Sequence, residues 1–245
     1  MFKNSAIIQA RTGSTRLPNK IFMNVGSTTL IERIVNCLEK VENIDSIIIA
    51  TTKNRSDDTI VDWCNARKVK YFRGDEQNVL KRYFDCTIKF PTKNIIRITA
   101  DDPFKDPQMI NKMILQFENA KLDFLCNNNP PTFPEGLDVE IFSMKTLETM
   151  HLKASSNFER EHVTQYCHRY KNEFKFENYN CVKDYSKYRL TIDTRNDLDF
   201  CNEICKNIKG LETENPPFME IVNFLIMNPG LVGKYSTNTR SDMYI

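Results

Sequence analysis

The sequence predicts an α/β fold built on a doubly wound, mostly parallel sheet. Short β-branched runs alternate with helical patterns through residue 126, which is typical of a parallel sheet with helices on both faces. One run, SIIIAT, has no polar alternation, as expected of a strand covered on both sides. The 245 residues, 40% of them hydrophobic, suffice for one core, so we expect a single domain over residues 1–245.

The first half of the chain repeats strand and helix in order. The apolar run at 6–8 predicts the first strand, and the apolar residues of 29–41 fall on one helical face. Further strands are predicted at 46–51, 70–73, 94–99 and 124–126. Further helices are predicted at 57–67, 78–90 and 107–118, the last of which begins on a proline, a residue favoured at the first helical position.

The second half has a different pattern. Residues 127–136, NNNPPTFPEG, predict a polar, proline-rich loop of the kind that covers or shapes a site. Strands are predicted at 138–142, 174–179 and 188–192, and helices at 144–154, 157–170, 195–209 and 218–227. Ser156 and Glu159 predict a capping box for the helix at 157–170. The polar tail from Asn228 is predicted to be a loose end or an arm that contacts a partner.

Charge, hydropathy and cysteine usage exclude several classes. The 34 basic and 32 acidic residues leave a net charge of +2, too balanced for a general binder of nucleic acid or membrane surfaces. No apolar run approaches the roughly 18 residues of a membrane span, and the apolar part of MFKNSAIIQA is too short for a signal peptide. The eight cysteines form no C-x-x-C pair, so we expect buried thiols. We therefore expect a cytoplasmic protein that recognises anions only locally.

A cationic loop follows the first predicted strand, within SAIIQARTGSTRLPNK. Arg11, Arg16 and Lys20 are spaced by five and four residues, and Gly13 and Ser14 lie between them. Backbone amides, hydroxyls and long cations together bind several phosphates, although neither G-x-G-x-x-G nor G-x-x-x-x-G-K-[ST] is present. A surface loop with solvated charges is the alternative. The loop follows a strand end, where ligands bind in doubly wound sheets, and this position favours phosphate binding.

Two aspartates follow apolar runs far apart in the chain. Asp101 ends IRITAD and Asp193 ends RLTID, so both are expected at the sheet edge that carries the cationic loop. Mg²⁺ takes one or two protein carboxylates and completes its octahedron with water and substrate phosphates, which this pair satisfies. The alternatives are a turn at Asp101-Asp102-Pro103 and a cap of the next helix at Asp193. Asp102 is then a spare ligand or a helix-start residue.

A second group of polar residues lies after the proline-rich loop. Asp138 and Glu140 are two apart on a predicted strand and therefore point to the same side, where they would bind acceptor hydroxyls or a second metal. An exposed sheet face is the alternative. Arg160 and His162 fall in the first turn of a predicted helix, which favours an acceptor anion. We interpret His168 as structural.

These segments together resemble a known family. The chain resembles the CTP-dependent cytidylyltransferases that make CMP-activated sugar acids, and more closely their spore-coat-polysaccharide branch. The matching segments, specific in their order and spacing, are IIQARTGSTRLPNK, IIIATTKNRSDDTI, YFRGDEQNVLKRY, IIRITADDPFKDP, FPEGLDVEIFS, REHVTQY and YRLTIDTRNDL. The resemblance implies a Rossmann-like, nucleotide-diphospho-sugar transferase-like sheet with an inserted acceptor-binding region. Residues 1–126 would mainly bind CTP and residues 127–192 the acceptor.

The resemblance also implies a role for each candidate residue. The residues implied to grip the triphosphate are Arg11, Arg16 and Lys20. The further residues implied to surround the nucleotide are Ala10, Gly13, Ser14, Ala50, Arg73, Thr99 and Asp101, with Arg73 reading the cytosine. The residues implied to hold Mg²⁺ are Asp101 and Asp193. The residues implied to face the acceptor are Asp138, Glu140, Arg160 and His162. Family likeness alone implies a homodimer.

Two positions depart from the family pattern. Asn19 stands where relatives usually carry glycine before the lysine, and Asp102 where this branch usually has cysteine. Asparagine tolerates positive φ less freely than glycine, so Asn19 is expected to affect the backbone of the cationic loop. Neither departure removes a proposed catalytic group.

The implied reaction is transfer of CMP from CTP to an acidic sugar or sugar-like acceptor, with release of pyrophosphate, for bacterial surface polysaccharide biosynthesis. An acceptor that carries a phosphate or phosphonate is an open alternative and would give a CDP- or CMP-linked product. A glycosyltransferase with a nucleotide-sugar donor shares the alternating half and the acidic metal residues. A non-catalytic nucleotide-binding module would bind CTP without releasing pyrophosphate.

Overall fold

The computed structural model describes residues 1–211 and 213–235. Its main sheet has seven strands in the order β5-β4-β1-β6-β8-β7-β9. The strands, numbered along the chain, are β1 (Phe2–Gln9), β4 (Ser46–Thr52), β5 (Lys70–Gly74), β6 (Thr92–Thr99), β7 (Phe124–Cys126), β8 (Glu140–Ser143) and β9 (Phe176–Asn178), and β2 (Asn24–Val25) and β3 (Thr28–Thr29) form a separate antiparallel pair. In the main sheet β8 runs antiparallel to both of its neighbours, and the other neighbouring pairs are parallel. The predicted mostly parallel α/β fold is confirmed.

Helices cover both faces of the sheet. They are α1 (Leu30–Leu38), α2 (Asp58–Arg67), α3 (Val79–Lys89), α4 (Pro107–Asn119), α5 (Met144–Lys153), α6 (Asn157–Glu161), α7 (Gln165–Arg169), α8 (Arg195–Asn207), α9 (Phe218–Met227) and α10 (Pro229–Tyr235). Successive β1 side chains point to opposite faces, so Ile7 packs in the cluster with α3 and α5, and Ile8 in the cluster with α1, α4 and α8. Both are fully buried, which explains the uninterrupted apolar run.

Local sequence signals start several helices as predicted. Ser156 and Glu159 form the capping box of α6. The side chain of Asp106 accepts hydrogen bonds from two backbone N–H groups of α4, whose first residue is Pro107. Side-chain oxygens at these positions satisfy N–H groups that have no partner within the helix. All eight cysteines are free thiols, and seven are buried, as expected.

The second half differs from the prediction in several places. The helix predicted at 157–170 is two short helices, because Val163 between them adopts a left-handed backbone with φ 53°. The strand predicted at 138–142 begins only at Glu140, so Asp138 precedes it. The tail from Asn228 was predicted to be a loose end or an arm that contacts a partner; its described part is not loose and forms α10, and residues 236–245 lie outside the described residues.

The strand predicted at 188–192 is also wrong. This segment is irregular and is bonded to the proline-rich loop through one β-bridge, Glu135 to Arg189. The loop and the segment approach closely at Gly136, whose φ is 101° and whose added Cβ would lie 2.8 Å from the Leu190 backbone. Only glycine fits this conformation and this contact without strain. The loop is therefore fixed against the chain that leads to Asp193.

Candidate active site

A buried carboxylate fixes the start of the cationic loop. Asp57 Oδ1 accepts hydrogen bonds from Thr12 N (2.8 Å) and Thr12 Oγ1 (2.7 Å), and its other oxygen accepts from Thr51 and Thr52 at the end of β4. Burial alone would raise the pKa of Asp57, but these hydrogen bonds outweigh it and lower the pKa. The sequence indicated only a helix-start role for Asp57. Its bonds reach 45 residues back along the chain, and no local pattern signals them.

The backbone freedom that the loop needs lies at Asn19 rather than at Gly13. Asn19 adopts a left-handed conformation, with φ 58°, and its N–H donates to Thr12 O at 3.0 Å. This turn directs Lys20 back into the protein. Gly13 needs no positive φ, and an added Cβ there would meet no atom within 4 Å. The departure at Asn19 is therefore accommodated in the conformation that glycine would favour.

Lys20 joins the two aspartates that the sequence predicted as partners. Its Nζ donates to Asp193 Oδ1 (3.0 Å), Asp101 Oδ2 (3.2 Å) and the Ile192 carbonyl (2.7 Å), and its side chain is 11% exposed. Burial opposes the charge of this ammonium, but the two carboxylates outweigh burial and raise the pKa of Lys20. The predicted meeting of Asp101 and Asp193 near the cationic loop is thus observed.

The two aspartates are bound by cations in different ways. Burial would raise the pKa of Asp101, but the Lys20 ammonium outweighs burial and lowers it. Asp193 forms two ion pairs, with Arg16 at 3.0 Å through Oδ1 and with Arg189 at 2.7 Å through Oδ2. Asp193 does not cap α8, since Thr194 does. Both carboxylates thus belong to a cationic cluster.

Asp102 has a structural role. It is buried and pairs with the fully buried Lys105 at 2.8 Å, and it also accepts a hydrogen bond from Thr99 Oγ1 at 2.7 Å. The Lys105 ammonium also donates to the Asp138 carbonyl, so it links β6 to the chain before β8. Asp102 is therefore the anchor of this lysine rather than a spare ligand.

A cavity of about 380 Å³ opens beside the Lys20 cluster. Its lining residues are Gln9, Arg16, Arg97, Thr99, Asp101, Asp102, Glu135, Asp138, Glu140, His162, Thr191 and Asp193. This cavity joins the predicted metal carboxylates to three of the four predicted acceptor residues, Asp138, Glu140 and His162. The fourth, Arg160, does not line it.

The Glu140 carboxylate is bonded to other protein groups, so it is not free to bind acceptor hydroxyls as the sequence predicted. It is 1% exposed and pairs with Arg97 at 2.6 Å, while His168 Nε2 lies 2.7 Å from its other oxygen and Thr164 donates to both oxygens at 3.0 Å. Burial would raise the pKa of Glu140, but Arg97 and His168 outweigh burial and lower the pKa to about 2. Glu140 therefore holds Arg97 and His168 in place instead of binding hydroxyls or a second metal directly.

A chain of hydrogen bonds runs from Lys171 through Asn129 and His168 to Glu140. Lys171 Nζ, which only donates, lies 2.9 Å from Asn129 Oδ1, so the Asn129 amide nitrogen faces His168 Nδ1 at 2.9 Å. His168 Nδ1 then accepts, and Nε2 carries the hydrogen donated to Glu140. The structural interpretation of His168 is retained, and Glu140 is the partner that the sequence had not indicated.

Two further cavities continue the cleft on the other side of β1. The smaller, about 160 Å³, is lined by Gln9, Ala10, Arg11, Glu76, Val79, Arg82, Glu161 and His162. The larger, about 590 Å³, is lined by Arg11, Asp75, Glu76, Gln77, Asn78, Asn157, Arg160 and Glu161. Gln9 and His162 line both the 160 Å³ and the 380 Å³ cavities, so the three cavities form one cleft across the ends of β1 and β6.

The comparisons with known proteins decide the family. The family model described as cytidylyltransferase matches residues 5–219. The chain belongs to the cytidylyltransferase family. It is 34% identical to an uncharacterised protein of Methanocaldococcus jannaschii over 97% of this chain and 96% of that one. It is 29% identical to the spore coat polysaccharide biosynthesis protein SpsF of Bacillus subtilis over 91% of this chain and 94% of that one.

A solved structure agrees with this assignment. A cytidylyltransferase from Leptospira borgpetersenii superposes with a TM-score of 0.89 and 30% identity, over 98% of this chain and 100% of that one. The resemblance inferred from the sequence, the nucleotide-diphospho-sugar transferase-like fold and the enzyme class are confirmed. The protein is a nucleotidyltransferase that uses CTP.

Two predicted nucleotide residues of this cytidylyltransferase are engaged elsewhere. The Arg73 guanidinium donates to the carbonyls of Thr52 (2.8 Å) and Asn54 (2.7 Å) and pairs with Asp58 at 2.6 Å. Ala50 is fully buried, and its carbonyl accepts from Ala10 N at 3.2 Å. Neither residue lines the three cavities of the described chain. Arg73 therefore stiffens the loop after β4, and the predicted contact with the cytosine has no support in its geometry.

The predicted helix start does not bring Arg160 and His162 together. Arg160 is the fourth residue of the five-residue α6, and His162 follows the end of that helix. Arg160 faces the same cavity as Arg11, whereas His162 packs on Phe158 with ring centroids 4.5 Å apart. Burial lowers the pKa of His162. The two residues thus lie in different parts of the cleft.

Two cleft residues of the cytidylyltransferase were not predicted. Arg97 is the cation that lies deepest in the 380 Å³ cavity, with a side chain 10% exposed. The signal available for it was an arginine inside the apolar strand IIRIT, since a buried cation requires a partner. Gln9 ends β1, and its buried Oε1 accepts no hydrogen bond from the described residues, which leaves this acceptor for a ligand.

The candidate metal position has two carboxylates, those of Asp101 and Asp193. Within 1–211 and 213–235, no group of three or more His, Cys, Asp and Glu side chains is arranged to hold a metal ion. Asp101 and Asp193 offer two carboxylates 3.2 and 3.0 Å from one ammonium, so one small cation fits between them. Mg²⁺ commonly binds through one or two carboxylates together with substrate phosphates.

Within residues 1–211 and 213–235, no helix is long and apolar enough to cross a membrane.

Proposed function

We propose that this cytidylyltransferase transfers CMP from CTP to an acidic sugar or sugar-like acceptor and releases pyrophosphate, for bacterial surface polysaccharide biosynthesis. The observation that carries the proposal is the cluster of Lys20, Asp101 and Asp193 at the junction of a cationic loop and a polar cavity. The similarity to a spore coat polysaccharide biosynthesis protein supports the pathway class.

The triphosphate is assigned to the cationic loop. Arg11, Arg16 and Lys20 neutralise its charge, and the exposed Gly13, where an added Cβ would meet no atom within 4 Å, leaves room for phosphate oxygens. In-line phosphoryl transfer depends mainly on positioning and charge neutralisation, so no covalent protein nucleophile is required. An ionised acceptor oxygen attacks the α-phosphorus, the bond from this phosphorus to the bridging oxygen of the β-phosphate breaks, and the cations stabilise the departing pyrophosphate.

The nucleoside and the acceptor are assigned to opposite sides of β1. Ala10 and Arg11 line the 160 Å³ cavity, which therefore takes the nucleoside side of CTP, with Thr99 near the α-phosphate. The 380 Å³ cavity takes the acceptor. Its Asp138 side suits hydroxyl groups, and Arg97, held by Glu140, with His162 suits an anionic group.

Asp101 and Asp193 are proposed to hold Mg²⁺ together with phosphate oxygens of CTP. When bound, the ion supplies positive charge at the α-phosphate and lowers the pKa of a coordinated acceptor oxygen. The protein groups do the positioning: the two carboxylates fix the ion beside the acceptor cavity, and Lys20 and Arg16 reach the phosphates from the loop.

Two further proposals rest on family likeness and on the substrate. We propose a homodimer, which light scattering tests, because a mass equal to that of a single chain would contradict it. We also propose a cytoplasmic location, since CTP is a cytoplasmic nucleotide. Fractionation that found the protein only outside the cytoplasm would contradict this location.

The function is tested by pyrophosphate release from CTP and Mg²⁺ with a panel of sugar acids, polyol phosphates and phosphonates. We expect release with a sugar acid. Release only with a phosphate or phosphonate would replace the acceptor class. Consumption of a nucleotide-sugar in preference to CTP would contradict the proposed reaction.

A further inference from the structure

The carboxylate oxygens proposed for the metal are already occupied by a cation of the protein. Lys20 Nζ lies 3.2 Å from Asp101 Oδ2 and 3.0 Å from Asp193 Oδ1, and its third hydrogen goes to the Ile192 carbonyl at 2.7 Å. An ammonium has three donors and no acceptor, so this arrangement uses all of its hydrogen bonds. The ammonium thus sits between the two oxygens that would otherwise face Mg²⁺.

Lys20 and Mg²⁺ cannot share this position. Two cations a few ångströms apart repel each other strongly in a partly buried site, where screening by water is reduced. The Lys20 side chain is 11% exposed, and those of Asp101 and Asp193 are 32% and 19% exposed. Arg16 also pairs with Asp193, but its side chain is 60% exposed, so this contact is weaker. Lys20 must therefore leave before the ion enters.

CTP supplies an alternative partner for the ammonium. Lys20 is the last cation of the cationic loop that we assign to the triphosphate, and it begins a short helical turn. Its flexible four-carbon chain lets the ammonium move without a change of fold. A triphosphate carries more negative charge than either aspartate. Bound CTP would draw Lys20 away from the two carboxylates and bring phosphate oxygens that complete the shell of the ion.

Arg189 holds the other side of Asp193 and does not compete with the ion. Its guanidinium contacts Asp193 Oδ2 at 2.7 Å, Asp197 Oδ1 at 2.6 Å and Glu135 Oε2 at 3.2 Å. Asp197 in turn accepts from the backbone N–H groups of Asp193 (2.9 Å) and Thr194 (2.7 Å). Asp193 is thus fixed through its Oδ2 atom and its backbone N–H, while Oδ1 faces Lys20.

We propose that Lys20 occupies the Mg²⁺ position in the free protein and is exchanged for the ion when CTP binds, while Arg189 is the positioning residue that keeps Asp193 aimed at that position. This inference rests on the proposed function, because it requires CTP on the cationic loop. It assigns Lys20 two sequential partners, first the carboxylates and then the phosphates. The free enzyme consequently binds divalent ions weakly without nucleotide.

The exchange predicts opposite effects of one substitution on two ligands. Lys20→Met keeps the length of the side chain but removes its charge. We expect Mn²⁺, measured by electron paramagnetic resonance without nucleotide, to bind this variant about tenfold or more tightly than the wild type, because a cation within about 4 Å is gone. We expect CTP, measured by calorimetry in EDTA, to bind at least about tenfold more weakly.

The matched control is Lys206→Met on α8. Its ammonium is 69% exposed and contacts only Glu203 at 3.4 Å among the ion pairs of the described residues, so both affinities should equal those of the wild type. If Lys20→Met binds Mn²⁺ no more tightly than the wild type, the exchange is wrong even where CTP still binds and pyrophosphate is still released. If wild-type protein binds no CTP at all, the proposed function fails and the exchange fails with it.

The role of Arg189 is measured in the Lys20→Met background, where Mn²⁺ binds without nucleotide. Arg189→Lys keeps the charge but cannot bridge three carboxylates. We expect Mn²⁺ affinity to fall about 10- to 100-fold, the usual loss when the support of a metal ligand is removed. A lower Tm with unchanged Mn²⁺ affinity would reduce Arg189 to a structural role. Glu135→Gln removes the charge of another carboxylate that Arg189 contacts, and we expect it to cause a smaller loss of Mn²⁺ affinity than Arg189→Lys.

Discussion

Two carboxylate clusters flank the acceptor cavity, and they differ in how firmly their cations are held. In one, Asp101 and Asp193 remain 32% and 19% exposed and are bound by Lys20 next to a loop. In the other, Glu140 is 1% exposed and is bound by Arg97 from the neighbouring strand and by His168. The carboxylates of the first cluster are partly exposed to the cavity, whereas the oxygens of Glu140 are already bonded to Arg97, His168 and Thr164.

This difference distinguishes carboxylates whose cation can be exchanged from a carboxylate whose cation stays in place. A partly exposed ion pair is weak and can exchange partners, whereas a buried pair is costly to break because the remaining charge is left without compensation. In the proposed reaction, the exchangeable carboxylates lie where the phosphates of CTP would bind, and the permanent one, Glu140, holds Arg97 in a fixed orientation. The sequence had assigned Glu140 to the substrate, and burial shows that it acts through Arg97.

The largest expected effect is on stability and lies in the buried cluster. Glu140→Gln removes the charge that compensates Arg97, and breaking a buried pair in this way costs about 3–5 kcal/mol. We expect the free energy of unfolding, from urea titration, to fall by that amount. Asp85→Asn, which breaks the exposed i,i+4 pair with Lys81 on α3, is the matched control and should cost no more than about 0.5 kcal/mol. Equal losses in the two variants would remove the contrast between the clusters.

In the exchangeable cluster the effect is on turnover. Lys20→Ala removes a cation from the leaving pyrophosphate, and we expect pyrophosphate release to fall by about 10²- to 10³-fold, by analogy with the loss of an oxyanion donor. The Tm should change little compared with Glu140→Gln. Turnover near that of the wild type would separate Lys20 from the chemistry.

Acid should weaken the buried cluster over a defined window. The pKa of Glu140 is about 2 in the folded protein and its ordinary value is 4.5, so its contribution to stability is fully present above about pH 4.5 and is lost as the pH falls toward 2. The unfolding free energy of the wild type should therefore decrease more steeply in this window than that of Glu140→Gln. Parallel pH profiles of the two proteins would contradict the low pKa.

The smallest expected effect concerns Arg73. Because its guanidinium is engaged by the loop after β4, Arg73→Ala should raise the KM for CTP by less than about tenfold, the equivalent of one lost hydrogen bond. The preference for CTP over UTP should stay unchanged. Loss of that preference would restore the prediction that Arg73 reads the base.

Local patterns predicted the parallel half of the fold and the meeting of Asp101 and Asp193 near the cationic loop. Strand runs such as SIIIAT end at the same sheet edge, so Asp101 and the cationic loop had to meet. The partner of Arg97 was not predictable in this way, because Glu140 reaches it across an antiparallel pair that is set by long-range packing. The break at Val163 was missed as well, since a β-branched residue gives no local sign of a left-handed backbone.

A decisive experiment measures pyrophosphate release from CTP and Mg²⁺ by Asp193→Asn, with the Tm recorded for the same sample. Asp193 belongs to the exchangeable cluster, so we expect release to be abolished while the protein stays folded. Near-normal pyrophosphate release by the folded variant would contradict the assignment of the Lys20, Asp101 and Asp193 cluster as the site of CMP transfer.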